Sequence, residues 1–90
     1  MKTPRSAPLE VTLYTRPGCH LCQEAKAGLA PLLEEFRVTL REVNIDADPA
    51  LRARYGEDIP VVFLGGRPVA KHRVDLERFR QLLERAREST

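Results

Sequence analysis

Hydrophobic and polar residues change period repeatedly along this chain, and each change marks an element. Glu10-Val11-Thr12-Leu13-Tyr14-Thr15 alternates and is rich in β-branched and aromatic residues, which predicts a strand. Pro17-Gly18 ends it and turns the chain. From Leu21 the period becomes helical. Leu21, Ala25, Leu29, Leu32, Leu33 and Phe36 share one face, while Gln23, Glu24, Lys26, Glu34 and Glu35 lie elsewhere. Pro31 falls inside this helix, and a missing interior N–H predicts a bend near Ala27 to Ala30. Arg37 to Ile45 reads as a second strand. Its apolar positions move from Val38 and Leu40 to Val43 and Ile45, a change of phase that implies a bulge or a late start.

Asp46-Ala47-Asp48-Pro49 is a helix start, with Asp48 as cap and Pro49 in the first helical position. The short helix through Ala50 to Tyr55 stops at Gly56. Pro60 to Leu64 is continuously apolar, as a buried strand is. Gly65-Gly66 is a tight turn, and Arg67 to Lys71 returns as an edge strand that tolerates Pro68. From Asp75 a last helix places Leu76, Phe79, Leu83 and Ala86 on one face. The order β-α-β-α-β-β-α predicts an α/β fold: a four-stranded mixed sheet with helices on both faces. The first and last helices should cover one face and the short helix the other. Residues 1–9 are expected to form a disordered N-terminal tail and residues 10–90 a single domain.

Composition narrows the function classes. Ninety residues with 42% hydrophobic and 31% charged content suit one soluble domain. The net charge is only +2, and acidic residues interleave with the arginines, which argues against nucleic-acid binding. No window reaches the apolar length of a membrane span. Met1 to Pro8 lacks the apolar core of a secretory signal, so a cytoplasmic protein is expected; it is read separately as a monomer.

The chemistry concentrates in Thr15-Arg16-Pro17-Gly18-Cys19-His20-Leu21-Cys22, which holds both cysteines. The pair is spaced C-x-x-C where a strand hands over to a helix. The free N–H groups and partial positive charge of a helix N-terminus favour thiolate over thiol, so a cysteine there should be acidic and nucleophilic. A second thiol three residues on can resolve the bond that the first one makes. Inert buried thiols are the bland alternative. A zinc site needs four ligands, and the only histidines are His20 and the distant His72, so one chain offers no metal set. An iron–sulfur or metal scaffold would need two chains to pool Cys19 and Cys22. Gln23 after Cys22 excludes covalent haem attachment.

This order, with C-x-x-C after the first strand, resembles the thioredoxin fold. Three segments resemble its glutaredoxin-like branch: Tyr14-Thr15-Arg16-Pro17-Gly18-Cys19, Ile59-Pro60-Val61-Val62-Phe63 and Leu64-Gly65-Gly66-Arg67. The resemblance implies that Cys19 attacks, Cys22 resolves, and Pro60 lies against the pair behind a cis peptide bond. It also implies that the Ile59 backbone binds an extended thiol substrate and that Arg16 serves the thiolate and an anionic substrate. The chain departs from the family in carrying His20-Leu21 between the cysteines, where a proline and an aromatic are usual. In Val69-Ala70-Lys71-His72-Arg73-Val74-Asp75 the family's second Gly-Gly is missing and its aspartate, matched to Asp75, is displaced by a residue, which weakens glutathione as the implied reductant.

Other residues have two readings each. His20 either modulates the Cys19 thiolate or is a solvated turn residue. Asp75 either caps the last helix or contributes to a ligand site. Lys71, His72 and Arg73 either grip an acidic group or are simply solvated. Tyr14 and Tyr55 read as packing. The sequence therefore points to a dithiol oxidoreductase without a tightly bound cofactor, acting on protein or small-molecule disulfides. Glutathione or a flavin-dependent reductase would restore it. A redox-sensing or protein-binding module of the same fold is the alternative.

Overall fold

The computed structural model describes residues 9–88. The elements are β1 (Glu10–Thr15), α1 (His20–Phe36), β2 (Thr39–Asn44), α2 (Pro49–Tyr55), β3 (Val61–Leu64), β4 (Arg67–Lys71) and α3 (Leu76–Glu88), with a 3₁₀ turn at Ile45–Ala47. The β-α-β-α-β-β-α order expected from the pattern is the order observed. The strands lie in the order β2-β1-β3-β4, with β1 parallel to β2 and antiparallel to β3, and β3 antiparallel to β4. Parallel neighbours need a crossover, and α1 provides it.

Of the expected tail, residues 1–8 lie outside the described residues. Leu9 belongs to the fold rather than the tail. It packs on the core, and its carbonyl accepts the Thr39 N–H at 3.4 Å, where the β1–β2 ladder opens with the pair Glu10↔Thr39.

β2 starts late, at Thr39, but the change of phase lies inside it: Leu40, paired with Val11, faces the α1/α3 core, and Val43, paired with Tyr14, faces the other side of the sheet. Arg37 closes α1 in the left-handed conformation (φ 57°), its N–H bonded to the Glu34 carbonyl. The register from Glu10↔Thr39 to Thr15↔Asn44 then runs without a bulge. The irregularity of this sheet falls instead between β3 and β4. There Val62 faces Ala70 but Phe63 faces Pro68, so Val69 has no partner. Pro68 has no N–H to give the ladder, and an edge strand is where that is tolerated. Helix α1 runs unbroken through Pro31, which is exposed.

Local signals account for the remaining ends. Asp48 caps α2 by accepting the Ala50 N–H at 2.9 Å, Pro49 starts it and Gly56 closes it. Gly65 and Gly66 both take positive φ (59° and 91°), as a two-residue hairpin turn requires.

One core lies between the sheet and the α1/α3 layer. Val11, Leu13, Val62 and Leu64 from the sheet meet Leu29, Leu32 and Leu33 of α1 and Phe79 and Leu83 of α3. Each fully buried side chain contributes about 1.5–3 kcal/mol relative to exposure. On the opposite face Tyr55 of α2 stacks on Tyr14 at 4.6 Å, and Phe63 meets both rings edge-on. The helices thus cover both faces as the pattern implied, and the two tyrosines are packing residues of the second face.

Candidate functional site

The site begins where β1 ends. Arg16-Pro17-Gly18-Cys19 is a tight turn. Pro17 occupies its second position, Gly18 its third with φ 80°, and the Cys19 N–H donates to the Arg16 carbonyl at 3.3 Å. Any side chain at residue 18 would be strained in that conformation, so Gly18 is what lets the chain double back into α1.

Cys19 is the N-cap of α1. Its Sγ accepts the Cys22 N–H at 3.1 Å, in the place that a serine or aspartate oxygen usually fills. The two sulfurs form a disulfide, with Cα atoms 5.2 Å apart. Their surroundings differ. Cys19 is half-buried, whereas Cys22 is 2% exposed on the inward face of the helix. Leu21, expected in the core stripe, is only half-buried, because Cys22 takes the inward position at the start of the helix.

Two depressions flank the pair. A groove of about 340 Å³ is lined by Arg16, Gly18, Cys22, Lys26 and Glu42 among others. Lys26 and Glu42 join α1 to β2 across it at 2.7 Å. On the other side of the first turn of α1, a cleft of about 200 Å³ runs between Leu21, Glu24 and Ala25 and the segment His72-Arg73-Val74.

The remaining candidate residues are distributed as follows. Arg16 turns its guanidinium to Asp46, with Nε at 3.2 Å and Nη2 at 3.1 Å from Oδ1, so its charge has a carboxylate partner. His20 is highly exposed at the start of α1, with Nε2 3.6 Å from Glu24 one turn on. Pro60 is fully buried, and the Ile59–Pro60 peptide bond is cis. The Ile59 N–H donates to the Tyr55 carbonyl at 3.2 Å. Because Val61 pairs with Tyr14, Ile59-Pro60 continues alongside the end of β1, from which the cysteine turn departs. Asp75 caps α3, accepting the Arg78 N–H at 3.1 Å. His72 is not part of a uniform basic patch with Lys71 and Arg73. It bonds the loop before β3 through both its backbone and its ring.

Sequence reasoning missed Asp46 as the partner of Arg16, since 30 residues separate them. In the sequence Asp46 carries only a helix-start signal. Among the described residues no group of three or more His, Cys, Asp or Glu is arranged to hold a metal ion. No helix among them is long and apolar enough to cross a membrane.

This geometry, a C-x-x-C pair capping the helix that follows the first strand of a β2-β1-β3-β4 sheet, defines a class that comparison makes specific. The model of the family described as "Glutaredoxin-like domain (DUF836)" matches residues 10–84. A glutaredoxin-like protein of Dictyostelium discoideum is 33% identical over 82 residues, covering 84% of this chain and 76% of that protein. Among solved structures, a Northeast Structural Genomics target protein from X. campestris is 36% identical with a TM-score of 0.66, covering 83% of this chain and 96% of that one. A thioredoxin from Halobacterium salinarum superposes with a TM-score of 0.62 at 22% identity, over 87% of this chain and 74% of that one, and so shares the fold. The chain belongs to the glutaredoxin-like family and has a thioredoxin-like fold.

Proposed function

We propose that the protein is a thiol–disulfide oxidoreductase. In the reduced form, the Cys19 thiolate attacks one sulfur of a substrate disulfide. A mixed disulfide forms at Cys19, and the other substrate thiolate leaves and takes a proton. Cys22 then loses its proton, attacks Cys19 Sγ and releases the second substrate thiol. Two electrons have passed from the dithiol to the substrate, and the Cys19–Cys22 disulfide remains. Glutathione or a flavin-dependent reductase returns the electrons in the opposite sense. The substrates are protein or small-molecule disulfides, and no tightly bound cofactor takes part.

The observation that carries this reading is the cap: Cys19 Sγ sits where the first turn of α1 offers its N–H groups, and it accepts the Cys22 N–H at 3.1 Å. The same donor and the positive end of the helix stabilise a thiolate at that position. The greater exposure of Cys19 supports its role as attacker, and the burial of Cys22 supports an intramolecular second step. Arg16 is a weaker contributor to thiolate stability, because Asp46 already offsets its charge. Its role is to hold the turn and to face an anionic substrate across the groove. The Ile59-Pro60 segment, running beside the end of β1, supplies backbone to an extended substrate. His20 tunes the thiolate from the start of α1, and Asp75 acts on the site only by fixing α3.

Trapping tests the assignment. Incubated with a glutathione-mixed disulfide substrate, Cys22→Ser should accumulate an adduct at Cys19 visible by intact mass, and Cys19→Ser should show neither adduct nor turnover. Full turnover by Cys19→Ser would contradict the proposal.

A further inference from the structure

His72 follows β4, and its backbone is unusual. Its φ is 68°, in the left-handed region that a non-glycine residue rarely enters. The Arg73 N–H reaches back to the Lys71 carbonyl at 2.7 Å, closing a three-residue turn around His72. A γ-turn with positive φ at its centre is the rare and strained form. Such strain persists only where surrounding contacts over-determine it, and an observed outlier is a reason to look for a function.

The contacts that hold it all lead to one place. The His72 N–H donates to the Pro60 carbonyl at 2.8 Å and to the Asp58 carbonyl at 3.1 Å. The ring Nε2 lies 3.0 Å from the Glu57 carbonyl and 3.6 Å from Asp58 Oδ1. A carbonyl oxygen only accepts, so Nε2 carries the hydrogen. One residue thus binds three successive parts of the loop 57–60, which leads into β3 beside the end of β1. The same residue lines the 200 Å³ cleft whose other wall is Leu21, Glu24 and Ala25. Leu21 lies between the two cysteines. His72 is therefore the point at which the cleft beside the cysteine pair and the Ile59-Pro60 segment are joined.

We propose that His72 is a positioning residue: its ring fixes the loop 57–60 so that the Ile59 carbonyl, whose own N–H is held by Tyr55, is ready to receive an extended disulfide substrate that passes from the cleft to the cysteine pair. This rests on the oxidoreductase reading and adds to it a residue that sets substrate preference, peptide-like over small. The backbone bonds of His72 hold the loop near β4. The ring bond to Glu57 holds the loop's first residue and limits how the segment swings. Its loss lowers the fraction of protein ready to bind, which weakens binding without altering the attack by sulfur.

The test separates ring from backbone. His72→Gly keeps a left-handed turn and the backbone N–H but removes the ring. His72→Gln restores a side-chain N–H that reaches a carbonyl. Pre-reduced protein is mixed with increasing amounts of a capped extended peptide carrying cysteine disulfide-linked to 2-mercaptoethanol, or with bis(2-hydroxyethyl) disulfide. Single-turnover rates are read by acid quench and mass. In His72→Gly the half-saturating peptide concentration should rise about three- to tenfold, the size of one hydrogen bond, with the maximal rate changed much less. The rise should be smaller for bis(2-hydroxyethyl) disulfide, and His72→Gln should recover most of the peptide binding. Amide hydrogen exchange on the oxidised proteins should show faster exchange at Asp58 and Ile59 in His72→Gly. Unchanged exchange there overturns the hold of the ring on the loop, whatever the activity. Faster exchange with unchanged half-saturation, or an equal loss for both substrates, overturns the positioning role. No reduction of either disulfide by the unaltered protein overturns the oxidoreductase reading itself and the positioning role with it, while the exchange result still reports whether the ring holds the loop.

Discussion

Cys19 caps the helix that carries Cys22, its Sγ accepting the Cys22 N–H at 3.1 Å. The bond ties the reactivity of one cysteine to the backbone of the other. On the proposed mechanism, the N–H groups of the first turn would stabilise the Cys19 thiolate in the reduced protein. Cys19 should therefore react with iodoacetamide at mildly acidic pH faster than free glutathione does, and Cys22 should be protected by its burial. Peptide mapping after a brief alkylation checks this. Equal labelling of both cysteines would argue that the cap gives Cys19 no advantage.

Arg16 and Asp46 join the C-terminal ends of the parallel strands β1 and β2 at 3.1 Å. Both side chains are partly exposed, so the pair contributes little to stability. Its larger effect is to occupy the charge of Arg16. Asp46→Asn should free that charge and raise the rate toward anionic disulfides, severalfold at low salt and less at high salt. Stopped-flow rates with an anionic and a neutral disulfide compare the two. A rate that rises equally for both would mean that Arg16 does not meet the substrate.

Much of this was readable in the residues themselves. Pro17-Gly18, Asp48-Pro49, Gly65-Gly66 and Asp75 each carry their conformation locally, and each stands where the pattern placed it. The strand and helix periods set the sheet and the core between Leu29, Phe79 and Val62. What was not readable depends on register between distant segments. Arg16 meets Asp46 only because β1 and β2 run parallel and in step. Cysteine is not among the preferred caps, so Cys19 as N-cap had no sequence signal. The left-handed turn at His72 is invisible for a similar reason, since histidine carries no glycine-like mark for it.

Gly28 of α1 lies against Leu76 of α3. A Cβ there would come to 2.9 Å from Leu76 Cδ1. Leu76 is 38% exposed, so the methyl group has room to move aside. Alanine also suits a helix interior better than glycine by about 0.8–1 kcal/mol. Gly28→Ala should leave stability unchanged or raise it by up to about 1 kcal/mol in urea unfolding. A loss larger than that would show that Leu76 is held in place.

Arg80 binds Glu35 with two hydrogen bonds of 2.8 Å, joining α3 to α1. That hydrogen bonding, aided by the nearby charges of Arg80 and Arg87, holds the Glu35 carboxyl below its ordinary value of 4.5. A carboxylate lowered on folding contributes stability above its unfolded value and loses it as pH falls through the folded one. Glu35→Gln should therefore be slightly less stable than the parent at neutral pH, and the difference should vanish in acid. Because both groups are well exposed, added salt should shrink it too. Thermal melts across pH decide this; a gap that widened on acidification would contradict the sign.

The most direct test of dithiol chemistry is equilibration of the protein in graded mixtures of reduced and oxidised glutathione, read by intact mass after acid quench. The account predicts a reversible two-electron Cys19–Cys22 couple; a potential of about −200 to −230 mV, with a glutathione adduct at Cys19 in the Cys22→Ser variant, would assign its reduction to glutathione. A couple nearer about −270 mV with no adduct would keep the dithiol mechanism but assign its reduction to a flavin-dependent reductase. A disulfide that does not exchange at any ratio would contradict the central claim.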